Sequence, residues 1–80
     1  MPKKLDQELY NFIRERTVAI RFNDSAYDLP TWTNIKLKAK RVGDYEDIVI
    51  EASLVNLQKQ GLIYNRFNEY KRKNEYYTRI

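Results

Sequence analysis

The sequence of 80 residues contains no cysteine and no histidine. Disulfides are therefore excluded, and so is a zinc finger, whose ligands come from these two residue types. The same absence removes the most common general base and the best nucleophile of enzyme sites. No glycine-rich phosphate loop and no metal-ligand pattern takes their place. We therefore expect no enzymatic activity, no cofactor and no bound metal.

Long apolar runs are also missing. Without an uninterrupted apolar stretch of about 18 residues or more, we expect no membrane-spanning segment. The first six residues, MPKKLD, lack the apolar core of a secretory signal, and with the absence of cysteine this favours an intracellular protein of cytoplasm, nucleoid or nucleus. Only two Gly and two Pro interrupt the chain. With no linker or repeat, the pattern predicts a single domain over residues 1–80.

The charge is positive and unevenly distributed. The formal net charge is +4, and the pI near 9.4 favours polyanionic partners such as nucleic acid. Residues 1–43 carry nine basic and five acidic groups, residues 44–60 carry one and four, and residues 61–80 carry five and two. We therefore expect the positive charge to be concentrated on particular elements.

Apolar spacing predicts a first helix over residues 5–22. Its apolar residues recur at spacings of three, four and seven and share one face: Leu5, Leu9, Phe12, Ile13 and Ile20. The polar triplet at 23–25, Asn-Asp-Ser, is typical of a stop and a turn.

Residues 31–42 are compatible with two structures. Trp32, Ile35, Ala39 and Val42 have helical spacing, Pro30 suits a first turn, and Asp28 or Thr31 could cap the helix. Residues 35–40, however, alternate strictly, as in a half-buried strand. Helix is favoured because Lys and Ala are good helix formers and poor strand formers.

A third helix is predicted over residues 45–60, with Asp44 as a possible cap and Gly61 as its end. One apolar stripe consists of Ile50, Leu54 and Leu57, and a second consists of Ile48, Ala52 and Val55. We expect the second stripe to lie in the core; the alternative is an exposed patch for a second subunit or another protein.

The residue composition changes after Gly61. Residues 62–67 and 75–80 are rich in β-branched and aromatic types and flank a polar, basic loop. This pattern predicts a β-hairpin. The expected fold class is therefore α+β, mainly α, with three helices followed by a C-terminal two-stranded hairpin. Its expected core contains Leu54, Leu57 and Ile63 packed with Leu9, Ile13 and Trp32.

The segment Leu54-x-x-Leu57-x-x-x-Gly61-Leu62-Ile63, followed by a basic loop and Tyr76-Tyr77, resembles the third helix and wing of winged helix-turn-helix proteins. The compact size resembles small regulators of viruses, phages and plasmids. The resemblance implies double-stranded DNA as the partner and transcription regulation as the function. Helix 3 is then expected at the major groove, and the hairpin, or wing, along the phosphates of the neighbouring groove.

Three groups of side chains are the candidate DNA contacts. The wing supplies Lys71, Arg72 and Lys73 with Arg66 and Tyr70; helix 2 supplies Lys36, Lys38, Lys40 and Arg41; helix 3 supplies Tyr45, Ser53 and Asn56. The alternative for each basic cluster is a solvated surface. The acidic first half of helix 3 departs from the family pattern.

Other functions stay open at this point. The acidic helix 3 favours a protein–protein interaction module, and a homodimer could form through Ile48, Ala52 and Val55 or through helix 1. RNA binding is a weaker alternative, because the chain lacks the aromatic-sheet or glycine-loop signatures of the common RNA-binding modules.

Overall fold

Three helices are followed by an antiparallel hairpin in the computed structural model, which describes residues 3–22 and 28–79. The helices are α1 (Lys3–Arg21), α2 (Trp32–Val42) and α3 (Asp47–Lys59), and the strands are β1 (Tyr64–Asn68) and β2 (Lys73–Tyr77). The expected mainly helical α+β class and the order of the elements are confirmed. The turn predicted at 23–25 and residue 80 of the second predicted strand lie outside the described residues. Residues 62–63 and 78–79 are described and lie outside β1 and β2, so the predicted outer ends of both strands are wrong.

The segment that was compatible with helix or strand is helical. In α2, Ile35 and Ala39 are buried one turn apart. The helix begins after Thr31, whose backbone N–H donates to the Asn34 side-chain oxygen at 3.0 Å. This bond satisfies a donor at the helix start, where no intrahelical acceptor exists. In this helix Lys38 therefore points to a different side from Lys36 and Lys40.

The two ends of α3 differ in how they are stabilised. At its start the N-cap is Glu46, without a capping hydrogen bond from its side chain, so the proposed cap at Asp44 is wrong. At its end Gly61 has φ +72°, in the left-handed region that favours glycine. The Leu62 N–H donates to the Leu57 carbonyl at 3.0 Å, and the Gly61 N–H to the Gln58 carbonyl at 3.0 Å. These two bonds form a Schellman motif and confirm the predicted end of α3.

The hairpin is longer toward its tip than its composition predicts. Asn68 pairs with Lys73, so the loop comprises residues 69–72, and the predicted loop of 68–74 is wrong. The ladder extends because backbone groups pair whatever side chains they carry. A single bridge joins Thr31 to Glu75, and the Tyr76 N–H donates to the Pro30 carbonyl at 2.9 Å. The segment before α2 is thereby fixed against β2.

One apolar cluster joins α1, α2, α3 and the start of the hairpin. Leu9, Ile13, Leu54, Leu57 and Ile63 are buried as expected, whereas Trp32 is half-buried and packs against the cluster. The remaining members are Leu5, Ile35, Ala39 and Ile50.

The second apolar stripe of α3 lies outside this cluster. Ile48 is 70% exposed and Val55 is 47% exposed, so its expected place in the core is wrong. The physical reason is that α1 and α2 cover the Ile50–Leu57 side of α3 and leave the opposite side open to solvent. No helix in residues 3–22 or 28–79 is long and apolar enough to cross a membrane.

Candidate nucleic-acid interface

The hairpin tip presents two cations to solvent. The Asn68 side-chain oxygen accepts hydrogen bonds from the backbone N–H groups of Tyr70 and Lys71 at 3.0 and 3.1 Å, which closes the loop. Arg72 follows with φ +53° and Tyr70 is fully exposed. Arg72 and Lys73 are both exposed, and neither takes part in an ion pair with another described residue. These two cations fit the expected phosphate-contacting role.

Lys71 is placed differently from its two neighbours. Its ammonium nitrogen lies 3.1 Å from Asp28 Oδ1 and 3.6 Å from Glu75 Oε2. The hydrogen bond to Asp28 holds the pKa of Lys71 above its ordinary value of 10.5. The three adjacent cations expected at the tip are therefore all exposed, but one is paired with carboxylates and two are in none of the ion pairs of the described residues.

Arg66 and the hairpin base form a layer of rings and guanidinium groups. Arg66 lies opposite Glu75 in the ladder, with Nε 3.9 Å from Oε1, and its guanidinium is 5.6 Å from the Tyr77 ring centroid. The Tyr64 and Tyr77 rings stack at 5.7 Å, and the Arg79 guanidinium covers Tyr64 at 4.2 Å. These contacts restrict both guanidinium groups before any ligand is bound.

A groove of about 560 Å³ runs between the hairpin, α3 and the first turn of α2. Lys73 and Asn74 line its hairpin side, and Thr33 and Trp32 line its α2 side. On the α3 side, Glu51 contributes a carboxylate. The groove thus joins the tip of the hairpin to the start of α2, two regions far apart in sequence.

The four basic residues of α2 separate into two groups. Lys36 places its ammonium 5.3 Å from the Trp32 ring centroid, and Lys40 donates to the Tyr45 carbonyl at 3.0 Å. Lys36 and Lys40 are four residues apart and share one side of α2, and Trp32, which lines the groove, precedes Lys36 by one turn. Lys38 instead lies 4.0 Å from Glu8 of α1, and Arg41 is exposed. We call Lys36, Lys40, Arg72 and Lys73 the basic strip.

The expected base contacts from α3 do not face outward. Ser53 is fully buried and its hydroxyl donates to Asp6 Oδ1 of α1, while the Asn56 amide donates to Asp6 Oδ2 at 2.8 Å. Tyr45 is half-buried and packs on the core. Ser53 is therefore buried away from any outward contact, because a carboxylate of α1 fixes it in the helix packing, whereas the DNA-contacting role of half-buried Asn56 and Tyr45 stays a prediction.

The solvent-facing side of α3 carries acidic and aliphatic residues. We call Asp47, Ile48, Glu51 and Val55 the α3 outer face; all four are exposed. Glu51 also contributes to raising the pKa of the Tyr76 hydroxyl above its ordinary value of 10.0, after burial, which is the larger cause. Lys59, exposed one turn beyond Val55, is the one cation of α3.

Sequence reasoning missed Asp6 and Glu75, the carboxylates that organise α1–α3 packing and the hairpin. A signal for the first existed: Ser53 lies three residues after Ile50 and four before Leu57, so it belongs to the core stripe of α3 and needs a buried partner. Glu75 gave no comparable signal. It is only 3% exposed, and this burial depends on the register of the hairpin and on the bridge to Thr31.

No protein-family model, curated protein or solved structure matches the chain. Within the described residues, no group of three or more acidic side chains is placed to hold a metal ion. The chemistry available at the basic strip is therefore that of ammonium and guanidinium groups facing an anion.

Proposed function

We propose that this chain is a winged-helix domain that binds double-stranded DNA through its phosphates and acts as a regulator of transcription. The arrangement of three helices and a C-terminal hairpin supports this assignment. The Thr31–Glu75 bridge adds support, because it pairs the segment immediately before α2 with β2 of the hairpin. The hairpin then corresponds to the wing, and α2 and α3 to the helix-turn-helix.

The observation that carries the proposal is the groove shared by the wing and α2. Lys73 lines it from one side, the first turn of α2 from the other, and Lys36 lies over Trp32 at its edge. Of the two basic clusters, at 36–40 and 72–73, Lys73 lines the groove itself, and Lys36 lies against Trp32, which lines the opposite side. A strip of cations suits the phosphates of a duplex, which carry one negative charge per about 1.7 Å of helix axis.

The start of α2 adds to the attraction. Backbone N–H groups at a helix start carry a partial positive charge and favour anions. Thr33 is exposed in the first turn of α2 beside the groove, so its hydroxyl can donate to the same phosphate strand. Affinity in this arrangement comes from counterion release, which makes it strongly dependent on salt.

Base recognition by α3 receives less support than phosphate binding. Side chains that read bases offer donors and acceptors in the major groove. The α3 outer face offers two carboxylates and two aliphatic groups instead, and Ser53 and Asn56 contact Asp6. We therefore expect weak discrimination between DNA sequences.

The test is a fluorescence anisotropy titration of the full chain against a labelled DNA duplex at several salt concentrations. The double variant Arg72→Ala/Lys73→Ala should lower the slope of log affinity against log salt by roughly 2, because each phosphate contact contributes about 0.9. The matched control, Arg14→Ala/Arg21→Ala, removes two exposed charges from α1 and should leave the slope nearly unchanged.

Three outcomes would overturn the proposal. An equal loss of slope in both double variants would show attraction to net charge only. Absence of binding by the parent chain at low salt would remove DNA as the partner. Tighter binding to duplex RNA than to duplex DNA would replace one nucleic acid with the other.

A second candidate function is a contact with another protein through the α3 outer face. The supporting observation is the exposure of Ile48 and Val55, 70% and 47%, on one side of α3 beside two carboxylates. Because the surface is apolar and acidic, the partner it fits is an apolar segment with basic flanks. Because Glu51 lines the groove and repels a duplex in either orientation, the variant that distinguishes the two roles of α3 is Asp47→Asn. A helix inside the major groove should gain DNA affinity from losing the Asp47 charge, whereas a helix turned toward a protein should not.

A further inference from the structure

We infer that Lys71 tethers the wing rather than contacting phosphate, and that Glu75 is the positioning residue that withholds Lys71 and directs Arg72 and Lys73 toward the DNA. The inference rests on the proposed function, because it assigns roles within the same wing. It separates three consecutive cations that the sequence alone presents as equivalent.

The first step of the argument is the burial of Glu75. Only 3% of this residue is exposed, although a lone carboxylate is costly to remove from water. Its Oε1 accepts a hydrogen bond from the Asn68 amide at 3.1 Å and lies 3.9 Å from Arg66 Nε. Its Oε2 lies 3.6 Å from Lys71 Nζ. Glu75 is thus surrounded by three donors from the wing itself.

The second step is the double engagement of Lys71. Besides Glu75, its ammonium contacts Asp28 at 3.1 Å, in the segment just before Pro30. That segment is already joined to β2 by the Pro30–Tyr76 hydrogen bond. Lys71 therefore links the loop of the wing to the strand-like segment at its base. A phosphate approaching Lys71 has to compete with two carboxylates that are already in place.

The third step concerns the two cations that follow. The Asn68 side chain fixes the backbone at Tyr70 and Lys71, and the chain then turns through Arg72 at φ +53°. Lys71 is exposed but paired with two carboxylates, whereas Arg72 and Lys73 are exposed and take part in none of the ion pairs of the described residues. Glu75 and Asn68 thereby act on DNA binding through the shape of the loop, without touching DNA.

The experiment measures the salt slope of duplex binding for Asp28→Asn, Glu75→Gln and the double variant. The contribution of Lys71 is the difference in slope between a chain and the same chain carrying Lys71→Ala. It should be near zero in the parent and rise to about 0.9 in the double variant, because release adds one available cation. Glu69→Gln is the matched control, because it removes one negative charge from the same loop; Glu69 is exposed and in none of the ion pairs of the described residues. It should leave the slope unchanged.

A readout independent of DNA is the side-chain NMR titration of Lys71. Because the hydrogen bond to Asp28 is the largest cause of the raised pKa of Lys71, Asp28→Asn should lower this pKa in the absence of DNA. Asp28 is exposed, so the variant keeps the fold even if Glu75→Gln does not. Amide chemical shifts identify which variants are folded.

The outcomes separate this inference from the proposed function. If the parent chain binds DNA and Lys71→Ala lowers its salt slope as much as Arg72→Ala does, the inference is overturned and the proposed function stands. An equal rise in slope for Glu69→Gln and the double variant also overturns it, because general repulsion then accounts for the effect. If no folded chain binds DNA, the parent included, but the pKa of Lys71 changes as expected, the proposed function is overturned. Only the role of Lys71 as a tether then remains.

Discussion

Removing the Ser53 hydroxyl should destabilise the domain without weakening DNA binding by its folded form. Ser53 is fully buried and donates to Asp6, whose second oxygen accepts from Asn56 at 2.8 Å. Because hydrogen bonds to charged groups contribute about 1.5–3 kcal/mol, Ser53→Ala should lower the free energy of unfolding by an amount near the lower end. The lower end applies because Asp6 is only half-buried and keeps its bond to Asn56.

Asp6→Ala should cost more, because it removes the acceptor of both bonds and leaves the Ser53 hydroxyl buried without a partner. A stranded donor costs about 1–3 kcal/mol, so a total of roughly 2–4 kcal/mol is expected. A domain of this length has about 4–12 kcal/mol of stability in all. The loss should appear as a fall in Tm of roughly 8 °C or more, since about 4–8 °C accompanies each kcal/mol in small domains.

The measurement is urea and thermal unfolding of the two single variants and the double variant, with the exposed neighbour Gln7→Ala as control. This double-mutant cycle should give a coupling free energy between Asp6 and Ser53 above about 1 kcal/mol. Unfolding curves of Asp6→Ala that coincide with the parent would refute the packing role of this carboxylate. A loss of DNA affinity in folded Ser53→Ala would show that Ser53 contributes to DNA binding after all.

Three further predictions concern stability. Leu54→Ala, in the core, should lower the free energy of unfolding by roughly 2–5 kcal/mol in urea titrations, and an unchanged midpoint would place Leu54 at the surface. Gly61→Ala should cost about 1–2 kcal/mol in the same assay, because φ is +72° while a Cβ there meets no neighbour within 4 Å. Burial holds the pKa of Tyr76 above its ordinary 10.0, so the unfolded chain ionises first and stability falls as the pH rises above about 10. Tyr76→Phe should lose less stability over that range, and an identical decline would assign it to other groups.

The helical elements could be predicted because their causes are local. Ile35 and Ala39 recur at helical spacing, and helix propensity correctly outweighed the alternation of the lysines between them. Gly61 ended α3 where a left-handed residue was expected. Such features depend on neighbours within one or two turns of the chain, which a sequence displays directly.

The candidate site depended on contacts that are distant in sequence. Whether Lys71 faces a phosphate or a carboxylate is decided by Asp28, more than forty positions earlier, and by the ladder that brings Glu75 beside it. The exposure of Ile48 is decided by which side of α3 meets α1 and α2. Periodicity shows that two stripes exist on α3, but the packing of three helices selects the one that is buried.

The placement of acidic charge gives the proposed complex an orientation. Residues 44–60 hold four acidic groups and one basic group, and folding exposes Glu51 on the α3 side of the groove, across from Lys73. Charges within about 10 Å interact appreciably at 0.1 M salt, so a duplex is attracted to one wall of the groove and repelled by the other. It should therefore lie over the wing and α2, with α3 turned away from its axis. In that orientation Ile48, which is exposed and does not line the groove, stays accessible while DNA is bound and can contact a second protein on the same complex.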